Sequence, residues 1–159
     1  YSRSRFDEVV TSKVQRNEVF SVIMLDLDDY KQFNDEYGHI VGDRVLIMFA
    51  NLMKQVFGQK ALPARYGGDE FVVVIEEEKE SLILELKIKL QSKISESTDP
   101  ILKNLKFSYG HSTRTKTNQL DYDALLKLAD NAMYENKAVN KNFKRRKEDK
   151  ERLKEDRKG

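Results

Sequence analysis

Apolar positions recur along this chain in two rhythms, and the change of rhythm separates its elements. Phe6, Val9, Val10 and Val14 fall at helical spacing and predict a helix over Tyr1 to Asn17. Val19 to Leu25 is a near-continuous apolar run, which suits a central strand covered on both faces. The run stops at Asp26-Leu27-Asp28-Asp29-Tyr30-Lys31. Asp29 to Tyr37 predicts a short helix that Gly38 ends. Gly42 to Phe57 predicts a longer one, with Val45, Leu46, Phe49, Leu52, Met53 and Val56 as its apolar stripe. Lys60 to Tyr66 and Glu70 to Glu76 read as strands joined at Gly67-Gly68, a hairpin whose glycines are expected to adopt positive φ. A further amphipathic helix covers Lys79 to Glu96, with Leu82, Ile83, Leu86, Leu90 and Ile94 inward, and Asp99-Pro100 breaks it. Leu105 to Ser112 alternates as a strand, and Asp121 to Ala138 returns to helical spacing.

After the first helix the order is strand, helix, hairpin, helix, strand, helix. That is a β-α-β-β-α-β arrangement of the ferredoxin-like kind, an α+β fold with a mostly antiparallel central sheet and helices packed on it. If the strand ending near Asp26 neighbours the one beginning at Glu70, then Asp26 and Asp69 meet at one edge of the sheet.

Composition narrows the chemistry. The chain has 159 residues, enough for one domain with a sizeable core. It contains no cysteine, which excludes disulfides, thiol catalysis and thiolate-bound zinc. No apolar run is long enough to span a bilayer and no signal-peptide pattern opens the chain, so a cytoplasmic setting without membrane contact is expected. The net charge of +2 conceals an asymmetry. Lys141 to Gly159 holds 10 basic and 5 acidic residues, leaving 19 basic and 22 acidic before it. Lys144-Arg145-Arg146-Lys147 is a small basic patch, but acidic residues follow and no aromatics interleave. The stretch 143–159 therefore reads as a charged tail, helical or disordered, and no nucleic-acid partner is expected.

Three carboxylates in four residues just past a central strand exceed what a polar loop needs. Carboxylates converging from Asp26 and Asp69 suit a hard cation such as Mg²⁺, which usually brings phosphates with it. Glycines beside them would let a ligand approach the main chain. Taken alone, Gly-Gly-Asp is a polar turn and Asp43 is a helix-start residue. No P-loop sequence is present, and His39 and His111 are the only histidines.

The run Asp26 to Asp35, with Tyr37-Gly38-His39, Gly42-Asp43, Leu46 and Arg65-Tyr66-Gly67-Gly68-Asp69-Glu70-Phe71, resembles the GGDEF family of diguanylate cyclases. Ala129-Asp130-Asn131-Ala132-Met133-Tyr134 with Lys137 resembles that family's last helix, and Tyr1-Ser2-Arg3-Ser4-Arg5-Phe6 the end of its opening motif. The likeness covers residues 1–142 and implies a palm-type fold related to nucleotidyl cyclases. It implies condensation of two GTP into cyclic di-GMP with release of pyrophosphate, across a homodimer. Two Mg²⁺ (or Mn²⁺) ions per half-site would lie on Asp26, the Leu27 carbonyl, Asp69 and Glu70. Asp69 would be the base for the ribose 3′-hydroxyl, with Glu70 assisting. Asn34 and Asp43 would read guanine, with His39 packing or hydrogen-bonding near the nucleotide and Gly67 and Gly68 beside it. The backbone at Asp29 and Tyr30 would take the β- and γ-phosphates, helped by Lys137 and Lys141. Two departures stand out. Lys141 replaces the usual Arg and loses its two-pronged fork, and Asn140 replaces the usual Gly. Pro63 and Tyr66 occupy the Arg and Asp positions of the family's inhibitory product site, so no such site is expected. The opening reads as cut from something longer, with a sensor or dimerisation domain expected upstream. A non-catalytic domain that binds GTP or a cyclic dinucleotide is the alternative reading.

Overall fold

The computed structural model describes residues 1–156, so the last three residues of the charged tail lie outside the described residues. The elements are α1 (Arg3–Gln15), β1 (Phe20–Leu27), α2 (Tyr30–Tyr37), α3 (His39–Phe57), β2 (Ala61–Arg65), β3 (Glu70–Ile75), α4 (Glu80–Ser95), a 3₁₀ turn (Leu102–Asn104), β4 (Phe107–Arg114) and α5 (Tyr122–Asp156). One sheet has the order β2-β3-β1-β4, antiparallel at every step. This is the expected α+β arrangement, with β1 and β3 as neighbours.

All eight residues of β1 are buried, because helices cover both faces of the sheet. Ile23, Leu25 and Leu27 pack with Val45, Phe49 and Met53 of α3 and Ile83, Leu90 and Ile94 of α4. Phe20, Val22 and Met24 face the other way, against Phe6 and Val10 of α1 and Leu125, Ala129 and Met133 of α5. Residues that alternate along a strand thus enter two separate cores. The unbroken apolar run is the consequence, although the pairing is antiparallel.

Four boundaries that bear on the site differ from expectation. β1 runs on through Asp26 and Leu27, which pair with Ser108 and Phe107, so Asp26 lies inside the strand. α3 starts at His39, because Gly38 at φ +84° both ends α2 and opens α3. Asp43 is therefore past the first turn and has no helix-start role. The hairpin loop spans the four residues Tyr66 to Asp69, and neither Gly67 nor Gly68 takes positive φ. α5 continues to Asp156, far past the apolar stripe that predicts it. Its outer half is exposed and carries a helix-internal ion pair, Lys147–Glu151 at 4.0 Å.

The edge strand β2 carries Pro63. Its Arg65 N–H donates to the Tyr1 carbonyl at 3.2 Å, and the Tyr1 amine donates to the Pro63 carbonyl at 3.3 Å.

α5 lies close on β4 because β4 is built of small residues there. A Cβ on Gly110 would fall 2.1 Å from the Met133 backbone nitrogen and 2.3 Å from the Ala129 carbonyl oxygen. Backbone cannot yield as a side chain can. Gly110→Ala is therefore expected to lower stability by about 3 kcal/mol or more, read from the urea midpoint. A change within experimental error would show that α5 does not sit this close to the sheet.

Candidate active site

The sheet register assembles the acidic cluster. Asp26 pairs directly with Glu70 on β3 and with Ser108 on β4, and directly opposed residues point to the same face. That face is the one α5 covers. Asp26 is only 6% exposed. Lys137 of α5 donates from Nζ to Asp26 Oδ2 at 2.7 Å, while Asp26 Oδ1 is buried with no partner. The Leu27 N–H donates to the Asp69 carbonyl at 3.1 Å, which fastens the hairpin loop to the end of β1. Burial and then the charge of Asp26 push the Asp69 carboxyl up from the ordinary range, against the pull of Lys137. Glu70 is also raised, by burial first and then by Asp26, Asp69 and Asp130. Burial alone would lower the Lys137 ammonium. The hydrogen bond to Asp26 and the surrounding carboxylates outweigh it, so Lys137 is raised and stays charged.

Neither glycine of the loop is required by backbone conformation, and only Gly67 is required by space. A Cβ on Gly67 would come within 3.1 Å of Glu70 Oε2, and one on Gly68 would meet nothing within 4 Å. Gly67 thus leaves room for the Glu70 carboxylate, while no neighbour among the described residues requires a glycine at position 68. Arg65 forms no ion pair among the described residues. Its guanidinium instead grips the loop, donating to the Gly67 carbonyl at 3.1 Å and to the Gly68 carbonyl at 2.7 Å.

The turn from β1 to α2 is held from two sides. Ser108 Oγ donates to Asp28 Oδ1 at 2.6 Å, and Asn140 Nδ2 donates to Asp28 Oδ2 at 3.3 Å and to Ser108 Oγ at 3.1 Å. Burial raises the Asp28 carboxyl in spite of these bonds. Asp29 sits in the left-handed region at φ +57° and does not cap α2 with its side chain. Its carboxylate goes to Lys144 at 2.8 Å instead. The first N–H groups of α2 are left without a side-chain acceptor, an arrangement that suits an anion.

Behind this turn lies a second, less charged end. Asn34 Oδ1 is buried and unpartnered. It occupies the space a side chain at position 42 would need, since a Cβ on Gly42 would fall 1.8 Å from it and 3.0 Å from the Tyr30 hydroxyl. Asp43 lines a cavity of about 440 Å³ between α3 and β2, together with Leu46, Pro63 and Arg65. Burial raises the Tyr30 hydroxyl, and the charges of Asp43 and Asp69 add to the shift, so this tyrosine lies between the two ends.

The structure thus gathers Asp26, Leu27, Asp69, Glu70 and Lys137 at one end, with Asp29 and Tyr30 at the turn and Asn34 and Asp43 beyond. His39 and Lys141 are exposed, and among the described residues neither side chain makes a hydrogen bond or ion pair. Three participants escape the sequence reading: Ser108, Asn140 in a bonding role, and Lys144. Lys144 was legible in principle, standing seven residues after Lys137 and so on the same helix face.

Comparison with known proteins identifies the family and the fold. The profile described as diguanylate cyclase, GGDEF domain, matches residues 1–143. The chain belongs to the GGDEF family. It is 30% identical over 147 residues to the response regulator PleD of Caulobacter vibrioides, covering 89% of this chain and 32% of that protein. Diguanylate cyclase A of Treponema denticola is 29% identical over 136 residues, covering 84% of this chain and 36% of its own. The chain thus spans about a third of the length of these relatives. The crystal structure of the GGDEF domain of DgcB from Caulobacter crescentus, solved in complex with c-di-GMP, superposes with a TM-score of 0.76 at 26% identity, covering 87% of this chain and 84% of that one. The GGDEF domain of YfiN (TpbB) from Pseudomonas aeruginosa gives 0.78 at 25% identity, covering 87% and 91%. The family match ends at Phe143, whereas α5 runs on to Asp156.

Family members with an inhibitory product site carry a carboxylate where this chain has Tyr66. Here Tyr66 packs on α1, with the Arg3 guanidinium 4.2 Å above its ring and Phe6 edge-on at 6.4 Å. Pro63 is buried in β2.

The raised carboxyls make a prediction for the metal-free GGDEF domain. Between the ordinary carboxylate range and their raised values, Asp69 and Glu70 hold protons in the native state that the unfolded chain has already released. Their contribution to stability therefore worsens as pH climbs from the ordinary carboxylate range through their raised values, and it stays adverse above them. Asp69→Asn and Glu70→Gln should raise the melting temperature at about pH 7 in chelator, with the gain vanishing near about pH 3.5, where carboxyls are protonated anyway. Calorimetry checks this, and a gain independent of pH would locate the effect outside their ionisation.

Proposed function

We propose that this GGDEF domain is an active diguanylate cyclase, condensing two GTP into cyclic di-GMP with release of two pyrophosphates. The observation that carries the reading is Asp26. This buried carboxylate has one oxygen on a lysine and the other without a partner, opposite Glu70 and beside Asp69.

Among the described residues no three His, Asp or Glu side chains converge tightly enough to enclose a metal. That suits Mg²⁺, which takes one or two carboxylates and draws its other ligands from phosphates and water. The orphaned Asp26 Oδ1 and the mutual repulsion around it fit such an ion. Asp26, Asp69, Glu70 and the Leu27 carbonyl would hold it. When bound, Mg²⁺ or Mn²⁺ supplies positive charge to the attacking and leaving oxygens.

The residues of the chain then divide the work. The uncapped N–H groups at the start of α2 donate to the β- and γ-phosphates. Lys137 gains a second anionic partner when the triphosphate arrives, and its four-carbon stem lets the ammonium move between the two. Asn34 Oδ1, buried without a donor, and the Asp43 carboxylate accept from the N–H edge of guanine. An adenine has no donors at those positions, so the same acceptors would reject it. Asp69 takes the proton from a ribose 3′-hydroxyl, and its raised carboxyl brings it nearer the range of an effective base. The 3′-oxygen forms a bond to the α-phosphorus of the facing GTP while the bond to pyrophosphate breaks. The same step in the opposite sense closes the ring. Each domain holds one GTP, so two domains must face each other as a homodimer. Most of the catalysis is positioning and charge neutralisation.

Incubation with GTP and Mg²⁺, with nucleotides resolved by chromatography, tests the reading. Cyclic di-GMP should form, with output per molecule rising as protein concentration brings domains together. Asp26→Asn should cut that output by about a hundredfold or more without unfolding the domain. A folded parent that binds GTP but makes no product would favour the non-catalytic alternative.

Product inhibition should be weak. With Tyr66 committed to Arg3 and Phe6, and Arg65 committed to the loop carbonyls, positions 63 to 66 offer a guanine neither a free forked cation nor a carboxylate. Calorimetric titration of cyclic di-GMP into protein saturated with a non-hydrolysable GTP analogue should show no tight binding. Sub-micromolar binding under saturation would mean that other residues build an inhibitory site.

A further inference from the structure

Three side chains of α5 each engage a different carboxylate at the exit of β1. Lys137 reaches Asp26, Asn140 reaches Asp28, and Lys144 reaches Asp29. Their spacings of three and four place them on one helix face. The middle contact differs in kind from the outer two. The lysines are long, flexible and partly exposed, and ion pairs of that sort fix position poorly. Asn140 is short and its amide is planar. One N–H goes to Asp28 Oδ2 and the other to Ser108 Oγ, while the Ser108 hydroxyl goes to Asp28 Oδ1. The three bonds close a ring, with every donor and acceptor used consistently. Ser108 is fully buried on β4, directly opposite Asp26. The ring therefore joins the turn after β1, β4 and α5 at one point.

We propose that Asn140 is a positioning residue for nucleotide binding. It sets the register of α5 on the exit of β1, and with it the place of the Lys137 ammonium and of the turn at Asp28 and Asp29. The proposal rests on the GTP reading of this site. A glycine, usual at this position in the family, has no side chain to close such a ring. The chain also has Lys in place of a forked Arg at position 141, and a preset α5 offsets that loss by presenting Lys137 already aimed. Asn140 touches no reacting atom, so its effect belongs to binding and not to the chemical step.

The test compares the parent with Asn140→Gly, Asn140→Asp and the exchange Asp28→Asn/Asn140→Asp. Affinity for a non-hydrolysable GTP analogue is read by calorimetry, together with melting temperature, KM and kcat. Asn140→Asp sets one carboxylate against another and should weaken the analogue about tenfold, the scale of one lost hydrogen bond to a charged group. Asn140→Gly should weaken it less. KM should rise in step while kcat holds. The exchange restores a donor and an acceptor with their ends swapped, and should recover most of the affinity. Unchanged affinity in both single variants, a loss confined to melting temperature, or a loss that the exchange does not reverse would each overturn the proposal. A parent that binds the analogue yet forms no product would fail the cyclase reading alone, whereas a parent that does not bind it fails both.

Discussion

A carboxylate at the buried end of a central strand is costly to keep charged, and much of this domain is arranged around Asp26 bearing that cost. Sheet register places Glu70 and Asp69 beside it, which makes the problem worse. The remedy is a single ammonium delivered by a helix from the far end of the chain. The helix can deliver it only because Gly110 lets its backbone settle on β4. The ion pair thus depends on packing that has no polar purpose of its own. Like charges held together by the fold are a store of electrostatic strain, and such strain is relieved by a cation.

Much of this architecture was legible in the chain. The long apolar run of β1 announced a two-sided core, and the glycine pair between apolar stretches announced the hairpin. The less legible parts were set by contacts distant in sequence. Asp26 lies inside its strand because β4 continues far enough to pair with it, and nothing local to Asp26 reports that. Gly67 and Gly68 were identified as important, but the backbone reason expected of them does not hold. Gly67 makes room for a side chain three residues on, and Gly68 simply leaves its surroundings open. Arg65 binds loop carbonyls, a role that its residue type alone does not announce. The outer half of α5 lacks an apolar stripe, so hydrophobic periodicity could not follow it.

The site's two ends reflect two ways of using burial. At the carboxylate end, burial concentrates charge. At the Asn34 end, it strands a neutral acceptor, and Gly42 exists there to make the room. A buried oxygen without a donor is unfavourable in the free protein, and a ligand that supplies the missing N–H relieves the deficit. Selectivity follows, because a molecule of similar shape without that N–H would leave the deficit in place.

The edge of the sheet has a bearing on solubility. An edge strand normally offers a row of free N–H groups on which another chain can add, which is how sheets nucleate aggregates. On β2 the residues whose backbone faces away from β3 are Ala61, Pro63 and Arg65. The Ala61 N–H is spent on the Gly58 carbonyl, and the Arg65 N–H on Tyr1. Pro63 has no N–H to offer. The residue that costs this chain an inhibitory arginine also helps to leave its exposed edge without a free donor. Replacing Pro63 to restore product control would therefore reopen a place where two molecules could stick by their strands.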